Sequence, residues 1–194
     1  MHQPAKHSEI ENIIGYLQQQ IDALRTAAHG LTDEEARLSP CASTLSIGGL
    51  VKHATYVCNG WEHREAVARG EASGELDEAA FAEFFGSFAL TAEETLAGAL
   101  RAFDSAAWSY LAAIAKVDPD AVIMEPPAPW AGRFEPTETT ARFAMLHGVE
   151  ELARHAGHAD IIREQIDGAK AGSLLAAVEG RPANDFVTPW QRSA

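Results

Sequence analysis

The chain has few of the residues that mark extracellular or nucleic-acid-binding proteins. Its 194 residues include only two cysteines, Cys41 and Cys58, which form neither a CxxC motif nor a disulfide framework. We therefore expect a reduced, cytoplasmic setting. The 15 lysines and arginines are outnumbered by 28 acidic residues, which gives a net charge of −13. Because nucleic acids and anionic lipid surfaces bind basic proteins, we expect neither as a partner.

Long apolar runs are also missing. Nowhere do about 18 apolar residues follow one another, and no apolar run follows a basic start, so the sequence predicts neither a membrane span nor a signal peptide. A hydrophobic content of 46% with 22% charged residues fits one ordinary globular domain. We expect residues 1–168 to form this domain. Residues 169–194 are predicted to be a tail packed on it or on a second subunit.

Four long segments carry apolar residues at the spacing of one helix face, and none alternates as a strand does. The predicted helices run from Ser8 to about Gly30, from Ile47 to about Gly70, from Thr91 to Val117 and from Thr137 to Gly168. Ser8, Thr91 and Thr137 are placed as N-caps, and Gly168 as the residue that ends the last helix.

The connections between these segments are rich in breaking residues. Residues 31–40 are predicted to be a connector with one helical turn, and residues 71–88 a crossover with a short helix. Residues 124–136 contain four prolines and are predicted to be an irregular loop. The sequence therefore predicts an all-α fold, a four-helix bundle with a long crossover.

The fourth predicted helix carries an unusual set of polar side chains. At 100° per residue, His147, Glu151, His155 and His158 fall within about 80° of one another. Polar groups that face a core require partners, and a bound cation would satisfy them all. The inward orientation is inferred from four apolar residues that border the stripe, which are Leu146, Ile161, Ile162 and Ile166.

A metal site needs ligands from more than one helix. Glu151 and His155 are four residues apart, so their Cβ atoms lie about 6 Å apart and both side chains can reach one ion. His53 borders the buried face of the second helix and is the best third ligand. Two imidazoles and one carboxylate suit Zn²⁺ best, and also Ni²⁺ or Fe²⁺, with positions left open for water or substrate.

Two interpretations apply to each of the other two histidines of the stripe. His147 and His158 are catalytic candidates that would carry protons or orient the ligands, and Glu150 or Asp160 could orient an imidazole. The structural alternatives are a histidine at the core edge for His147 and a surface histidine for His158. Spacing alone does not show whether Glu150 or Glu151 is the inner carboxylate, and we favour Glu151.

Two arginines of the same helix are candidates for binding an anionic group. Arg154 is predicted to bind a thiol cofactor or an anionic substrate, and Arg163 is a second candidate. For both we favour the alternative, an exposed side chain that pairs with an acidic neighbour on the helix, Glu150, Asp160 or Asp167.

Two segments resemble the signature regions of a known superfamily. LVKHATY at 50–56 and HGVEELARHAGHADIIREQIDG at 147–168 resemble those of the DinB/YfiT-like metalloenzymes, above all the actinobacterial branch of unassigned function. The likeness covers roughly residues 8–168 and implies a four-helix bundle with His53, Glu151 and His155 as metal ligands. Many members have histidine at the position of Glu151; here the chain is similar to the N-terminal domain of mycothiol-dependent maleylpyruvate isomerase.

The resemblance implies an enzyme that activates a small thiol, such as mycothiol or bacillithiol, in an S-transfer or isomerisation reaction. The alternatives are a metal-activated hydrolase and a non-catalytic binding or dimerisation protein in which the ion only stabilises the helices. A di-iron site is rejected because the first and third long helices lack the Glu-x-x-His motif. The expected partners are a small-molecule substrate and a second copy in a homodimer.

Overall fold

The computed structural model describes residues 2–192, and most of them are helical. The elements are α1 (Glu9–Ala27), α2 (Asp33–Ala36), α3 (Ile47–Ala68), α4 (Glu78–Gly86), α5 (Leu96–Ile114), β1 (Val122–Glu125), a 3₁₀ helix (Pro129–Ala131), β2 (Thr137–Thr140), α6 (Ala141–Asp167) and α7 (Ala171–Val178). The four long helices α1, α3, α5 and α6 correspond to the four predicted ones. The predicted all-α fold is confirmed.

Short polar motifs fix the ends of these helices. Ser8 and Glu11 form a reciprocal capping box at the start of α1, as predicted. At the other end of the bundle, Gly168 ends α6 with a φ of 76°, a left-handed conformation that glycine adopts without strain. Both signals depend on residues close together in the chain, which is why the sequence reveals them.

Two predicted N-caps are wrong by one turn. The side chain of Thr95, and not that of Thr91, caps α5 by accepting a hydrogen bond from the backbone of Gly98. Thr91 instead begins a separate turn, in which its backbone N–H donates to Glu94. Similarly, Thr140 caps α6. Thr137 lies at the start of β2, so it cannot serve as that cap.

The segment before α6 contains a small sheet that the sequence analysis missed. β1 and β2 pair antiparallel, with Val122 opposite Thr140 and Glu125 opposite Thr137. The predicted loop at residues 124–136 therefore begins with the last two residues of β1, and the rest of it is the connection of a hairpin that contains all four prolines. The buried Glu125 carboxylate accepts a hydrogen bond from Arg64 Nε of α3 at 2.8 Å, so the hairpin is attached to the bundle.

The core lies between the four long helices. α1 packs on α6, and α3 packs on α5. Their fully buried side chains include Leu17, Ile21, Leu24, Leu50, Phe103, Ile114, Met145 and Leu152. Two predicted core neighbours of the α6 stripe are exposed instead, since Leu146 is 53% and Ile161 59% accessible. The buried face of α6 is narrower than expected.

The last described residues pack against the bundle. α7 lies on α1, and the Trp190 ring lies 4.8 Å from the Arg163 guanidinium. Arg163 is completely buried, donating to the carbonyls of Ala27 and His29 and to Asp167. The expectation of an exposed Arg163 is therefore wrong. The two free carbonyls at the end of α1 draw the side chain inward, because buried carbonyl groups require donors.

Within residues 2–192, none of the helices has both the length and the apolar character required to cross a bilayer.

Candidate metal centre

The structure brings His53 of α3 together with Glu151 and His155 of α6. Each of the three residues offers one ligand atom, and these atoms lie within 4.8 Å of one another. The two histidines are buried, whereas Glu151 is half-buried. Because α3 and α6 pack against each other, the side chains meet at one level of the bundle. A cluster of this spacing can surround a single cation.

The orientation of His53 is set by the crossover segment after α4. Its ring stacks on Phe88 with a centroid distance of 4.0 Å, and its Nδ1 atom lies 2.8 Å from the Ser87 hydroxyl oxygen. Ser87 donates its own proton to the carbonyl of Phe84 at 2.6 Å. The hydroxyl must therefore accept from His53 Nδ1–H. This tautomer leaves a lone pair on Nε2, the form that a metal ligand requires.

His53 and Glu151 are both in the protonation state that a cation prefers in its ligands. Burial, together with the neighbouring His155, lowers the pKa of His53 to about 4, so this imidazole is neutral at pH 7. The hydrogen bond from His155 holds the pKa of Glu151 below its usual value, with further contributions from the nearby histidines. The site thus offers a neutral nitrogen and an ionised carboxylate.

His155 supports the same conclusion through an unpaired atom. Its Nε2 atom lies 3.4 Å from a Glu151 carboxylate oxygen. Its Nδ1 atom is buried and, among residues 2–192, has no hydrogen-bond partner. A buried polar atom without a partner costs free energy, and ion binding would reorganise this ring's interactions. Two imidazoles and one carboxylate fit a divalent cation with open positions.

The neighbouring carboxylate Glu150 points to the outer face of α6. It is 50% exposed and accepts a hydrogen bond from Arg154 at 2.5 Å. Arg154 is itself 62% exposed, so its predicted role in binding a cofactor would have to be performed at the surface. Of the two adjacent glutamates, Glu151 is the one beside His53 and His155.

His147 lies at the outer edge of the site. Its Nδ1 atom is 3.1 Å from Glu150, and its Nε2 atom is 3.9 Å from the second oxygen of Glu151. These three residues form another cluster with a cation-binding arrangement, more exposed than the first. Glu151 therefore has one oxygen toward His147 and the other toward His155.

His158 lies on the inner side of the same helix face. Its ring is 5.8 Å from that of His155, and its buried Nδ1 atom has no hydrogen-bond partner within the described part of the chain. The structure thus brings all four polar residues of the predicted stripe to one region. Their assignment as ligands or proton carriers remains a prediction.

Sequence reasoning missed the aromatic surroundings of His53. The centroids of the Phe84 and His53 rings are 6.1 Å apart. Trp130 stacks on Phe84 with nearly parallel planes and a centroid distance of 4.9 Å. Tyr56 contacts both His53 and Phe84. The spacing of Phe84 and Phe88 by four residues is a usable signal, because it places both on one side of a helix or turn.

Two of three comparisons relate the chain to known proteins. The family described as mycothiol-S-transferase matches residues 12–168, a range that contains His53, Glu151 and His155. A crystal structure of a conserved protein from Enterococcus faecalis has a similar fold, with a TM-score of 0.51 and 13% sequence identity. That match covers 84% of this chain and 99% of the other. No curated protein matches the sequence.

Proposed function

This chain belongs to the mycothiol-S-transferase family, and we propose that it transfers a low-molecular-weight thiol of the mycothiol type to a small electrophile, using a divalent metal held by His53, Glu151 and His155. The observation that carries the proposal is the cluster of three ligand atoms within 4.8 Å. The family range includes all three residues. A compact cation site suits a thiol substrate, because a bound cation stabilises the thiolate.

Zinc is the metal that we favour, with nickel and iron as the alternatives. Two imidazoles and a carboxylate form the ligand set of many open zinc sites. When bound, such an ion supplies the positive charge that lowers the pKa of a thiol, so that thiolate becomes available near neutral pH. His53, Glu151 and His155 would hold the ion and leave positions for a thiol, and Glu151 is the most accessible of the three.

Two histidines near the ligands would then accept the thiol proton and hold a ligand ring in place. We assign His147 as the acceptor of the thiol proton, because it lies at the exposed edge of the site and contacts Glu151. The sulfur forms its new bond to the electrophilic carbon while the leaving group departs with its electron pair. His147 releases the proton to water. His158, next to His155 on the buried side, would help to hold that ligand ring.

Positioning of His53 is the contribution of the crossover segment. Ser87 fixes the tautomer, and Phe88 covers one face of the ring. A ligand whose ring cannot rotate loses less conformational entropy when the site is loaded. Exclusion of water by Phe84 and Phe88, which lie against the His53 ring, would strengthen the electrostatic interactions inside the site.

The reaction can be tested with metal-loaded protein, purified mycothiol and a haloalkyl bimane, by measuring the fluorescent conjugate. We expect metal-dependent acceleration with mycothiol that is lost in His155→Ala and retained in His63→Ala, a histidine on the exposed side of α3. Bacillithiol and glutathione in parallel reactions identify the preferred thiol.

Two further measurements on the same metal-loaded protein test the alternative functions, a hydrolase and a protein with a structural ion. Hydrolysis of a chromogenic ester at equal rates with and without thiol would indicate a metal-activated hydrolase. A loaded protein that accelerates neither reaction, but unfolds when the metal is removed, would indicate a structural ion and would contradict the proposed transferase.

A further inference from the structure

The outer face of α6 carries an ordered set of exposed residues that does not include the three proposed metal ligands. We call it the α6 outer stripe, and it consists of Phe143, Leu146, Glu150, Arg154, Gly157 and Ile161. All six residues are exposed, and at 100° per residue they fall within about 80° of one another. They therefore form one continuous surface along the helix.

Three of these residues are large and apolar. Phe143 and Leu146 are each 53% accessible, and Ile161 is 59% accessible. Single exposed apolar residues are ordinary on protein surfaces, but several aligned on one helix face are typical of a binding surface.

The glycine of the stripe has no function inside the subunit. Gly157 lies in the middle of a 27-residue helix, where glycine is less favourable than alanine. A Cβ atom built at this position would meet nothing within 4 Å, so no intramolecular contact requires glycine. Small residues on an exposed helix face allow another helix to approach closely.

The order of the residues is self-complementary. Phe143 and Ile161 each lie nine positions from Leu152, and Glu150 and Arg154 each lie two positions from it, on opposite sides. If a second α6 runs antiparallel about a two-fold axis at the level of Leu152, Phe143 falls opposite the partner's Ile161 and Glu150 opposite the partner's Arg154. Leu146 then lies within one residue of the level of the partner's Gly157. Such an isologous contact is the commonest arrangement in homodimers.

We propose that two copies of this chain associate through the α6 outer stripe. Phe143 packs on the partner's Ile161, and Leu146 lies over the space left by the partner's Gly157. Glu150 and Arg154, which already pair within one helix, also face the partner's Arg154 and the partner's Glu150. The stripe thus brings together equal numbers of opposite charges, although each subunit as a whole carries a net charge of −13.

The predicted interface is modest in size. The helix segment 143–161 is roughly 27 Å long, and one helix pair buries less than the ~800 Å² per partner of a standard stable interface. We therefore expect a reversible dimer with a dissociation constant in the micromolar range.

The interface adjoins the candidate metal centre. The Phe143 ring lies 6.1 Å from that of His147 in a stacked arrangement, and His147 contacts Glu151. A partner helix against Phe143 would form one wall of the approach to His147. Dimerisation would thereby narrow the entrance that a substrate must use.

Sedimentation velocity of the full chain tests the proposal, at protein concentrations from roughly 1 to 200 µM. We expect a concentration-dependent dimer for the unmodified protein. Glu150→Arg places like charges across the axis and should raise the dissociation constant at least about tenfold. Arg154→Glu should do the same, and the double variant E150R/R154E should restore association, because it recreates both pairs in reverse order.

Trp108→Ser is the matched control, since Trp108 is an exposed apolar residue, 75% accessible, on α5 outside the stripe. Circular dichroism of each variant confirms that it is folded. The proposal is overturned if the unmodified protein is monomeric at every concentration. It is also overturned if the dimer persists in both single charge variants, or if it dissociates in Trp108→Ser alone.

Discussion

His53 Nδ1 donates a hydrogen bond of 2.8 Å to the Oγ atom of Ser87, and these two residues are 34 positions apart in the chain. Because Ser87 uses its own proton on the Phe84 carbonyl, the bond determines which His53 nitrogen remains available. The crossover after α4 thus has a role in the candidate site, although it contributes no ligand itself.

Replacement of Ser87 by alanine should weaken metal binding without unfolding the protein. The His53 ring would lose the acceptor that fixes its tautomer and its orientation, and loss of such a contact typically reduces metal affinity by about 10-fold to 100-fold. Competition with a chromogenic chelator measures the affinity. Ser105→Ala, an exposed serine of α5, is the control; equal affinities in the two variants would show that Ser87 does not position His53.

The metal-free protein should lose stability when the pH falls from about 7.5 to 5. Burial lowers the pKa of His53 from 6.5 to about 4, so the folded state binds fewer protons than the unfolded state between these values. The free energy of unfolding therefore falls with pH in this window. One residue with such a shift contributes up to about 2 kcal/mol over this range. Glu151, whose pKa is lowered, acts in the same direction at lower pH.

Urea unfolding in the presence of a chelator, at both pH values, checks this prediction. His53→Gln should show a clearly smaller loss, whereas His63→Gln, on the exposed side of α3, should behave like the unmodified protein. An unchanged pH dependence in His53→Gln would mean that other groups are responsible.

Arg163→Met should strongly destabilise the fold. The variant removes the fully buried guanidinium. The carbonyls of Ala27 and His29 then lose their donor, and Asp167 loses its ion-pair partner. A buried carbonyl that loses its donor costs about 1 to 3 kcal/mol, whereas the exposed Asp167 can still be hydrated. Arg154→Met removes an exposed pair on the same helix and should cost less than about 1 kcal/mol. Denaturant unfolding compares them, and similar midpoints would contradict the structural role assigned to Arg163.

Much of the fold could be predicted because its signals are local. The apolar spacing of α1, α3, α5 and α6 repeats within each helix, and Ser8 and Gly168 mark helix ends through bonds to nearby residues. The caps of α5 and α6 were misplaced because two threonines a few positions apart give similar local signals. The β1–β2 hairpin was missed since strand pairing joins segments on either side of a proline-rich connection.

At the candidate site, too, the features that depend on nearby residues could be predicted and those that depend on distant residues could not. Spacing four residues apart was enough to place Glu151 beside His155. The position of His53 at the edge of a buried helix face predicted the third ligand, and the resemblance to a known family implied the same residue. No local pattern could reveal that Ser87 orients His53, or that Arg163 reaches carbonyls more than 130 positions earlier in the chain. Leu146 and Ile161 were assigned to the core because helical spacing gives the width of a buried face only approximately.

The most direct test of the account is elemental analysis of untagged protein, purified without chelators and then equilibrated with zinc. The account predicts about one ion per chain, lost in His53→Ala, Glu151→Gln and His155→Ala. The matched controls His63→Ala and Glu150→Gln should retain it. Absence of a stoichiometric ion after incubation with zinc, nickel and iron in turn would contradict the account, as would retention of the ion in all three ligand variants.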